Sequence, residues 1–296
     1  MSLAEQCEKL PFFVAIYEKR NMRKAAMALN MTQPPLSYAI KQLEEALQVS
    51  LFIRTKKGVT PTPAADILYQ FSKVTLKKME QLETQVQQPD DPMAGLMAVG
   101  TYDSIARYFW PKIFNESTNR FPNLNLKLSS HRTNENINRI LSKEIDYSIL
   151  VEPAAFKNSD NLHKSILYTD TYSIFSKSKL TKNKLNFIYV VGAHVNDSQN
   201  LEDVLRPHLE SFQQFKLDSF EVCREFIKKG LGIGVLPNRV AAEDLDSGLI
   251  KRISFKNMSR HFGEHNIYEC YLRENQDKEK FEKFSAVIRD VLAQPL

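Results

Sequence analysis

Apolar positions in the first part of the chain recur every three or four residues, and later give way to short alternating runs; this change of period organises the sequence. Leu10, Phe13, Ile16 and Tyr17 keep helical spacing, with Pro11 tolerable in the first turn. Asn21 is placed to cap a second helix from Met22 to about Leu29, whose Ala25-Ala26 pair permits close approach by a neighbour. Asn30-Met31-Thr32 reads as a turn, and Thr32 is expected to cap a third helix opening with Gln33-Pro34-Pro35, where backbone N–H groups lack helical partners anyway. Projected at about 100° per residue, Leu36, Ile40, Leu43 and Leu47 share one narrow arc, while Pro34, Ser37, Tyr38 and Lys41 lie opposite. The runs Leu51–Arg54 and Val59-Thr60, joined by Thr55-Lys56-Lys57-Gly58, predict two short strands with a basic turn.

From Ala64 the pattern predicts a long amphipathic helix with Leu68, Phe71, Thr75, Met79, Leu82 and Val86 on one stripe, Thr75 being its weak point. Such a stripe wants another helix, either from a twofold mate or from its own chain. Gln87-Gln88-Pro89-Asp90-Asp91-Pro92 is polar and proline-broken and reads as a linker.

Beyond it, short apolar runs alternate with helical stretches. Strands are expected at Leu96–Val99, Leu124–Leu128 and Tyr147–Val151, with helices near Ile105–Arg120 and Asn134–Ser142. A second set comprises Tyr172–Phe175, Phe187–Val191, a helix around Phe220–Lys229, and Ile233–Leu236; Ile267–Leu272 reads as a return strand and Lys280–Leu292 as a closing helix. This alternation predicts βαβ units and a largely parallel sheet. Gly230-Leu231-Gly232-Ile233-Gly234 lacks the spacing of a dinucleotide fingerprint and follows a helix, so it reads as a tight helix-to-strand turn.

The length of 296 residues fits two domains at roughly 100–200 residues each. The net charge of +5 becomes informative once located. Residues 1–63 hold nine Lys/Arg against five acids, and the remainder holds 31 against 30. A basic head on a nearly neutral body is the asymmetry of a nucleic-acid module joined to something else. The longest apolar run, Phe187–Ala193, is too short to span a bilayer, and the first residues lack the apolar core of a signal peptide, so a cytoplasmic protein is expected. Cys7, Cys223 and Cys270 form neither a disulfide framework nor a zinc motif. The six histidines show no H-E-x-x-H pairing, and no G-x-S-x-G elbow or phosphate loop occurs. An enzyme is therefore not expected, and no cofactor or metal is called for.

The head carries spaced motifs: Phe13 before the first turn, Ala25-Ala26 with Leu29, Thr32-Gln33-Pro34-Pro35-Leu36-Ser37, Ile40-Lys41 with Leu43-Glu44 and Leu47, Leu51-Phe52 with Arg54, and Thr62-Pro63-Ala64. This stretch resembles the DNA-binding domain of LysR-type transcriptional regulators. Ordered matches through the body include Trp110-Pro111, Phe121-Pro122-Asn123-Leu124, Glu144–Ile149, Gly230–Pro237 and Gly248-Leu249-Ile250, so the resemblance covers nearly the whole chain; residues 181–217 match least. The implied architecture is an N-terminal all-α winged helix-turn-helix (1–63), a long linker helix and hinge (64–92), and a C-terminal α/β two-lobed periplasmic-binding-protein-like effector domain (93–296). Its first lobe is expected at about 93–163 plus 267–296, and its second at about 164–266.

The resemblance implies a homo-oligomeric regulator that binds double-stranded DNA and answers a small-molecule effector. A homodimer through the linker helix, a homotetramer, and RNA polymerase as a further partner belong to the same implication. Gln33, Pro34, Pro35, Ser37, Tyr38, Lys41, Arg54, Lys56 and Lys57 are the candidate DNA contacts. Gln33, Ser37 and Tyr38 are assigned to base edges and the cations mainly to phosphate, with Arg54 alternatively bracing the wing. Thr101, Tyr102, Asp103, Ser104 and Thr133 follow strands, and ligands of α/β lobes favour the carboxyl ends of strands; the resemblance implies that they lie near the interlobe cleft as candidate effector contacts and adds Asn196. Tyr38 departs from the family pattern, where Arg is common, and a phenol cannot make bidentate guanine contacts. Arg20-Asn21 stands where Gly-Ser is common, and Ala65 stands where Gly is usual. Two alternatives compete: a redox-sensing regulator acting through Cys223 and Cys270, and a ligand-binding protein with no DNA role, which would leave the basic head unexplained.

Overall fold

The computed structural model describes residues 2–56, 58–151, 160–177, 185–190, 212–254 and 262–293. Two compact units emerge, Met1–Leu96 with Leu141–Glu144, and Met97–Ile140 with Ile145–Leu296.

In the first unit a short 3₁₀ turn, Ala4–Lys9, precedes α1 (Leu10–Lys19), α2 (Met22–Ala28) and α3 (Gln33–Leu47). The wing, β1 (Phe52–Thr55) paired antiparallel with β2 (Gly58–Pro61), leads into α4 (Pro63–Gln87). Leu10, Phe13, Ile16, Leu36, Leu43 and Leu51 are fully buried in one core, each worth about 1.5–3 kcal/mol in removal from water. The Asn21 side chain caps α2, accepting from the Lys24 N–H at 3.0 Å. Thr32 occupies the N-cap position of α3, but its hydroxyl makes no capping bond, contrary to expectation. Pro34 and Pro35 reduce the number of free N–H groups that such a bond would serve.

Along α4 the predicted stripe is shifted at its start. Leu68 is buried with Ala65 and Ser72 where α4 packs on the head, and Ile67 is exposed in its place. Neighbouring positions lie about 100° apart around a helix, so docking the first turns by one face necessarily turns the other outward. The exposed apolar stripe is Ile67, Phe71, Met79, Leu82 and Val86.

The second unit builds a nine-stranded sheet from the described strands: β3 (Gly95–Thr101), β4 (Leu124–Ser130), β5 (Tyr147–Val151), β6 (Leu162–Ser176), β7 (Leu185–Val190), β8 (Phe212–Leu217), β9 (Ile233–Pro237), β10 (Lys251–Ile253) and β11 (Phe262–Leu272). The order is β4-β3-β5-β11-β6-β9-β7-β8, with β10 also on β6. β3–β5, β7–β8 and β7–β9 are parallel. The centre is not: β11 runs antiparallel to β5 and β6, and β6 antiparallel to β9 and β10. The sheet is therefore mixed, correcting the expectation of a largely parallel one. Two long strands cross from one lobe to the other in opposite directions, and such strands can pair only antiparallel.

The helices are α5 (Asp103–Tyr108), α6 (Trp110–Arg120), α7 (Thr133–Leu141), α8 (Phe220–Lys228), α9 (Asn238–Asp246) and α10 (Glu279–Ala293). The single helix expected near Ile105–Arg120 is two, interrupted at Phe109. Pro111 in the first turn of α6 has no N–H to continue a ladder from α5. Sequence reading also missed β8, β10, α9 and the first ten residues of β6, where His163, Lys164, Thr169 and Asp170 dilute the apolar signal. Gly230 (φ +73°) ends α8 ahead of β9, so the glycine-rich run is the helix-to-strand turn it was read as.

Candidate nucleic-acid interface and effector site

Packing divides α3 cleanly. Leu36, Ala39, Ile40 and Leu43 are buried against α1 and α2, while Gln33, Pro34, Pro35, Tyr38 and Lys41 are exposed and Ser37 is half-buried. Tyr38 is 63% exposed, an unusual state for a large aromatic unless something covers it in use. Its hydroxyl accepts a hydrogen bond from the Gln42 side-chain amide at 3.0 Å. Lys41 lies 3.6 Å from Glu45, both side chains largely exposed, so its charge is partly offset in the free protein. On the wing, Arg54 is exposed opposite Val59 and Lys56 sits exposed at the turn; Lys57 lies outside the described residues.

Three positioning groups were not legible as such. The Glu44 carboxylate accepts from the backbone N–H groups of Leu51 at 2.7 Å and Phe52 at 3.3 Å, tying α3 to the first wing strand. The Thr62 hydroxyl donates to the Ser50 carbonyl at 2.8 Å and accepts from the Ala65 N–H at 3.3 Å, tying the wing exit to α4. Arg20 turns the chain in the left-handed region (φ 53°), and its carbonyl accepts from the Val59 N–H at 3.0 Å. A Cβ on Gly58 (φ +139°) would stand 2.3 Å from that same oxygen, so this approach admits only glycine. A groove lined by Arg20, Thr55, Gly58–Pro61 and Asp66 results. Exposed Arg23 and Lys24 in the first turn of α2 enlarge the basic surface.

In the second unit the carboxyl ends of β3, β4 and β5 converge. The Thr101 carbonyl accepts from the His131 N–H at 2.9 Å and from the Asn136 amide at 3.0 Å. Thr101 itself is fully buried and its hydroxyl donates to the Ile149 carbonyl at 3.3 Å. The Thr133 hydroxyl donates to the Val151 carbonyl at 3.2 Å, and Ser130 donates to the Asp103 carboxylate. Ser104 is buried, Tyr102 and Thr133 are half-buried and Asp103 is exposed, so Tyr102, Asp103 and Thr133 are the described side chains of this set that reach solvent; Asn196 lies outside the described residues.

Burial raises the Tyr102 phenol above its ordinary value; the Arg132 cation opposes this, while Asp103 and Asp218 add to it. Asp218, between β8 and α8, thus acts on Tyr102 from the second lobe. A strand followed by Asp-Ser and a helix is a readable signature, but β8 itself was not recognised. Arg107 of α5 pairs with Glu221 of α8 at 3.1 Å, a second tie between the lobes. His131 is engaged with Glu135 at 2.7 Å. No group of three or more metal-ligating residues exists among the described residues.

Two family models match the chain: "Bacterial regulatory helix-turn-helix protein, lysR family" over residues 7–66, and "LysR substrate binding domain" over residues 90–293. The chain belongs to the LysR family of transcriptional regulators. Among relatives of this LysR-type regulator, the HTH-type transcriptional regulator CysL of Bacillus subtilis (strain 168) is 25% identical over 281 residues, covering 92% of this chain and 94% of CysL. A hydrogen peroxide-inducible genes activator of Dickeya chrysanthemi is 26% identical over 245 residues, covering 79% of this chain and 80% of the relative. The crystal structure of CbnR, a LysR family transcriptional regulator, superposes with a TM-score of 0.68 at 15% identity over 97% of this chain and 99% of CbnR, which shows a shared fold. The helix-turn-helix and effector-domain expectations therefore hold, and the reading without a DNA-binding role is overturned by the match to the head.

Cys223 on α8 packs among Phe175, Ile188 and Ile227, its thiol directed at the Val235 and Ile188 carbonyls. Cys270 on β11 belongs to a separate cluster with Ile140, Leu150 and Leu162. Burial pushes both thiols up to about 12. A thiol at that value carries almost no thiolate near neutrality, and thiolate is the reactive form. Cys7 is half-buried. No helix among the described residues is long and apolar enough to cross a membrane.

Proposed function

We propose that this LysR-family regulator binds operator DNA as a homodimer joined along α4, with α3 in the major groove and the wing on the flanking phosphates. The observation that carries this is the outward face of α3, where Gln33, Pro34, Pro35, Tyr38 and Lys41 are exposed and Ser37 is half-buried; on this reading Gln33, Ser37 and Tyr38 take base edges, Pro34 and Pro35 allow close backbone approach, and Lys41 takes phosphate. Arg54, Lys56 and Lys57 complete the phosphate contacts, joined by Arg23 and Lys24. A small-molecule effector occupies the rim formed by Thr101–Ser104 and Thr133, with Asn196 as a further contact; Tyr102 and Asp103 make the direct contacts, while buried Thr101 and half-buried Thr133 bond the Ile149 and Val151 carbonyls and hold the strand ends together. Effector binding changes the arrangement of the oligomer on DNA, as a dimer or as a pair of dimers, and through it the access of RNA polymerase. The protein acts in the cytoplasm and catalyses no reaction. Buried Cys223 and Cys270 argue against the redox-sensing alternative.

Footprinting and quantitative binding on genomic fragments test the reading. Paired half-sites about one helical turn apart are expected, with affinity falling steeply as salt rises because counterions are released. Replacing Lys56 and Lys57 weakens all DNA alike. A salt-insensitive affinity, or a changed sequence preference in that variant, contradicts the assignment.

A further inference from the structure

The chemistry of the Tyr38–Gln42 pair goes further than the placement of α3. The two residues are four apart on one helical face, and the Gln42 side-chain N–H donates to the Tyr38 oxygen at 3.0 Å. A phenol has one proton to give and an oxygen that can accept. With an amide proton occupying that oxygen, the phenolic proton is turned away from Gln42, and none of the described residues accepts it. The side chain is 63% exposed, so this proton faces solvent on the face that presents Gln33, Pro34 and Lys41. The nearby charges do not compete for it: Glu45 is engaged with Lys41 at 3.6 Å, and Glu44 with the N–H groups of Leu51 and Phe52.

We infer that Gln42 is a specificity-positioning residue that holds Tyr38 as a hydrogen-bond donor, so that at one position of the half-site the pair favours a base presenting an acceptor in the major groove. The acceptors available there are purine N7, guanine O6 and thymine O4; cytosine presents only its amino donor and is the base rejected. The inference rests on the reading that α3 enters the major groove, and it adds which base edge the phenol takes and which residue sets its polarity.

The test uses the full-length protein, its footprinted operator, and all single-base variants of each half-site. Tyr38→Phe keeps the ring and removes the donor, and should lose roughly five- to tenfold of discrimination at one position, the scale of one net hydrogen bond. Gln42→Leu should weaken discrimination at that same position. Gln42→Glu supplies a carboxylate that takes the phenolic proton, which presents the Tyr38 oxygen as an acceptor and moves preference there toward cytosine. Because Tyr38 is exposed, unchanged melting temperatures in all three variants accompany the expected result. A Tyr38→Phe effect spread evenly over all sequences, or Tyr38 and Gln42 variants acting at different positions, overturns the inference while leaving the major-groove reading intact. A wild-type protein with no preferred sequence overturns both.

Discussion

The ring of Tyr17 on α1 stacks on that of Tyr69 on α4 with centroids 4.0 Å apart and planes 13° from parallel. Each hydroxyl is anchored by the other's helix, Tyr17 donating to Asp66 at 2.7 Å and Tyr69 to Glu18 at 2.8 Å. The Arg20 guanidinium covers the outer face of the Tyr17 ring at 4.2 Å, and Lys73 reaches Glu18 at 3.7 Å. Arg20 also receives the wing through its carbonyl, so one ladder of contacts connects the wing to the long helix. Burial raises both phenols, and hydrogen bonds to carboxylates raise them further, so both rings keep the protons these bonds use.

A double-mutant cycle of Tyr17→Leu and Tyr69→Leu should return a coupling of about 0.5–1.5 kcal/mol, the usual scale of an aromatic pair beyond its buried area. It is read from denaturant unfolding of the head's transition. Additive single effects would show that the stack contributes nothing of its own.

Gly58→Ala should destabilise the head by about 1–3 kcal/mol, because a left-handed backbone and a 2.3 Å approach to the Arg20 carbonyl oppose any side chain. The loss should appear as a lower melting temperature together with weaker DNA binding. An unaltered melting curve would show that the wing moves freely from Arg20.

Leu82→Glu combined with Val86→Lys places charge on the exposed stripe of α4 while leaving the buried Ala65, Leu68 and Ser72 untouched. Sedimentation should show the protein shifting toward monomer, and binding to paired half-sites should fall toward that of a single half-site. Retention of the wild-type association state would place the dimer contact elsewhere.

In the native protein Cys7 should react with a thiol reagent at pH 7, whereas Cys223 and Cys270 should react only after unfolding. Thiols raised to about 12 hold roughly one three-thousandth of the thiolate of an ordinary cysteine near 8.5, and both are also sterically covered. As pH rises toward 10 their reactivity should increase without a plateau. Fast titration of three thiols in the folded state would reverse this picture.

Local periodicity made the helices of the head legible. The division of α3 into a buried Leu36–Ile40–Leu43 face and an exposed Pro34–Tyr38–Lys41 face follows from the helical repeat alone, and the Asn21 cap from its chemistry and position. The carboxyl-end rule found the neighbourhood of Thr101–Ser104 and Thr133, yet not that Thr101 and Thr133 spend their hydroxyls on the Ile149 and Val151 carbonyls. That depends on β5, some fifty residues from Thr101 in sequence and adjacent in the sheet.

The sequence alone thus determined what the backbone repeat and side-chain polarity decide over a few turns: the three-helix head, the basic wing, the amphipathic α4, and the run of strands and helices behind it. Tertiary structure decided which face of α4 the head consumes, leaving Ile67 outside and Leu68 within. It also decided the antiparallel crossing of β6 and β11 and the reach of Asp218 to Tyr102. Each of these is a pairing between distant segments, fixed by which surfaces bury one another, and the repeat within either segment is the same whichever partner it meets.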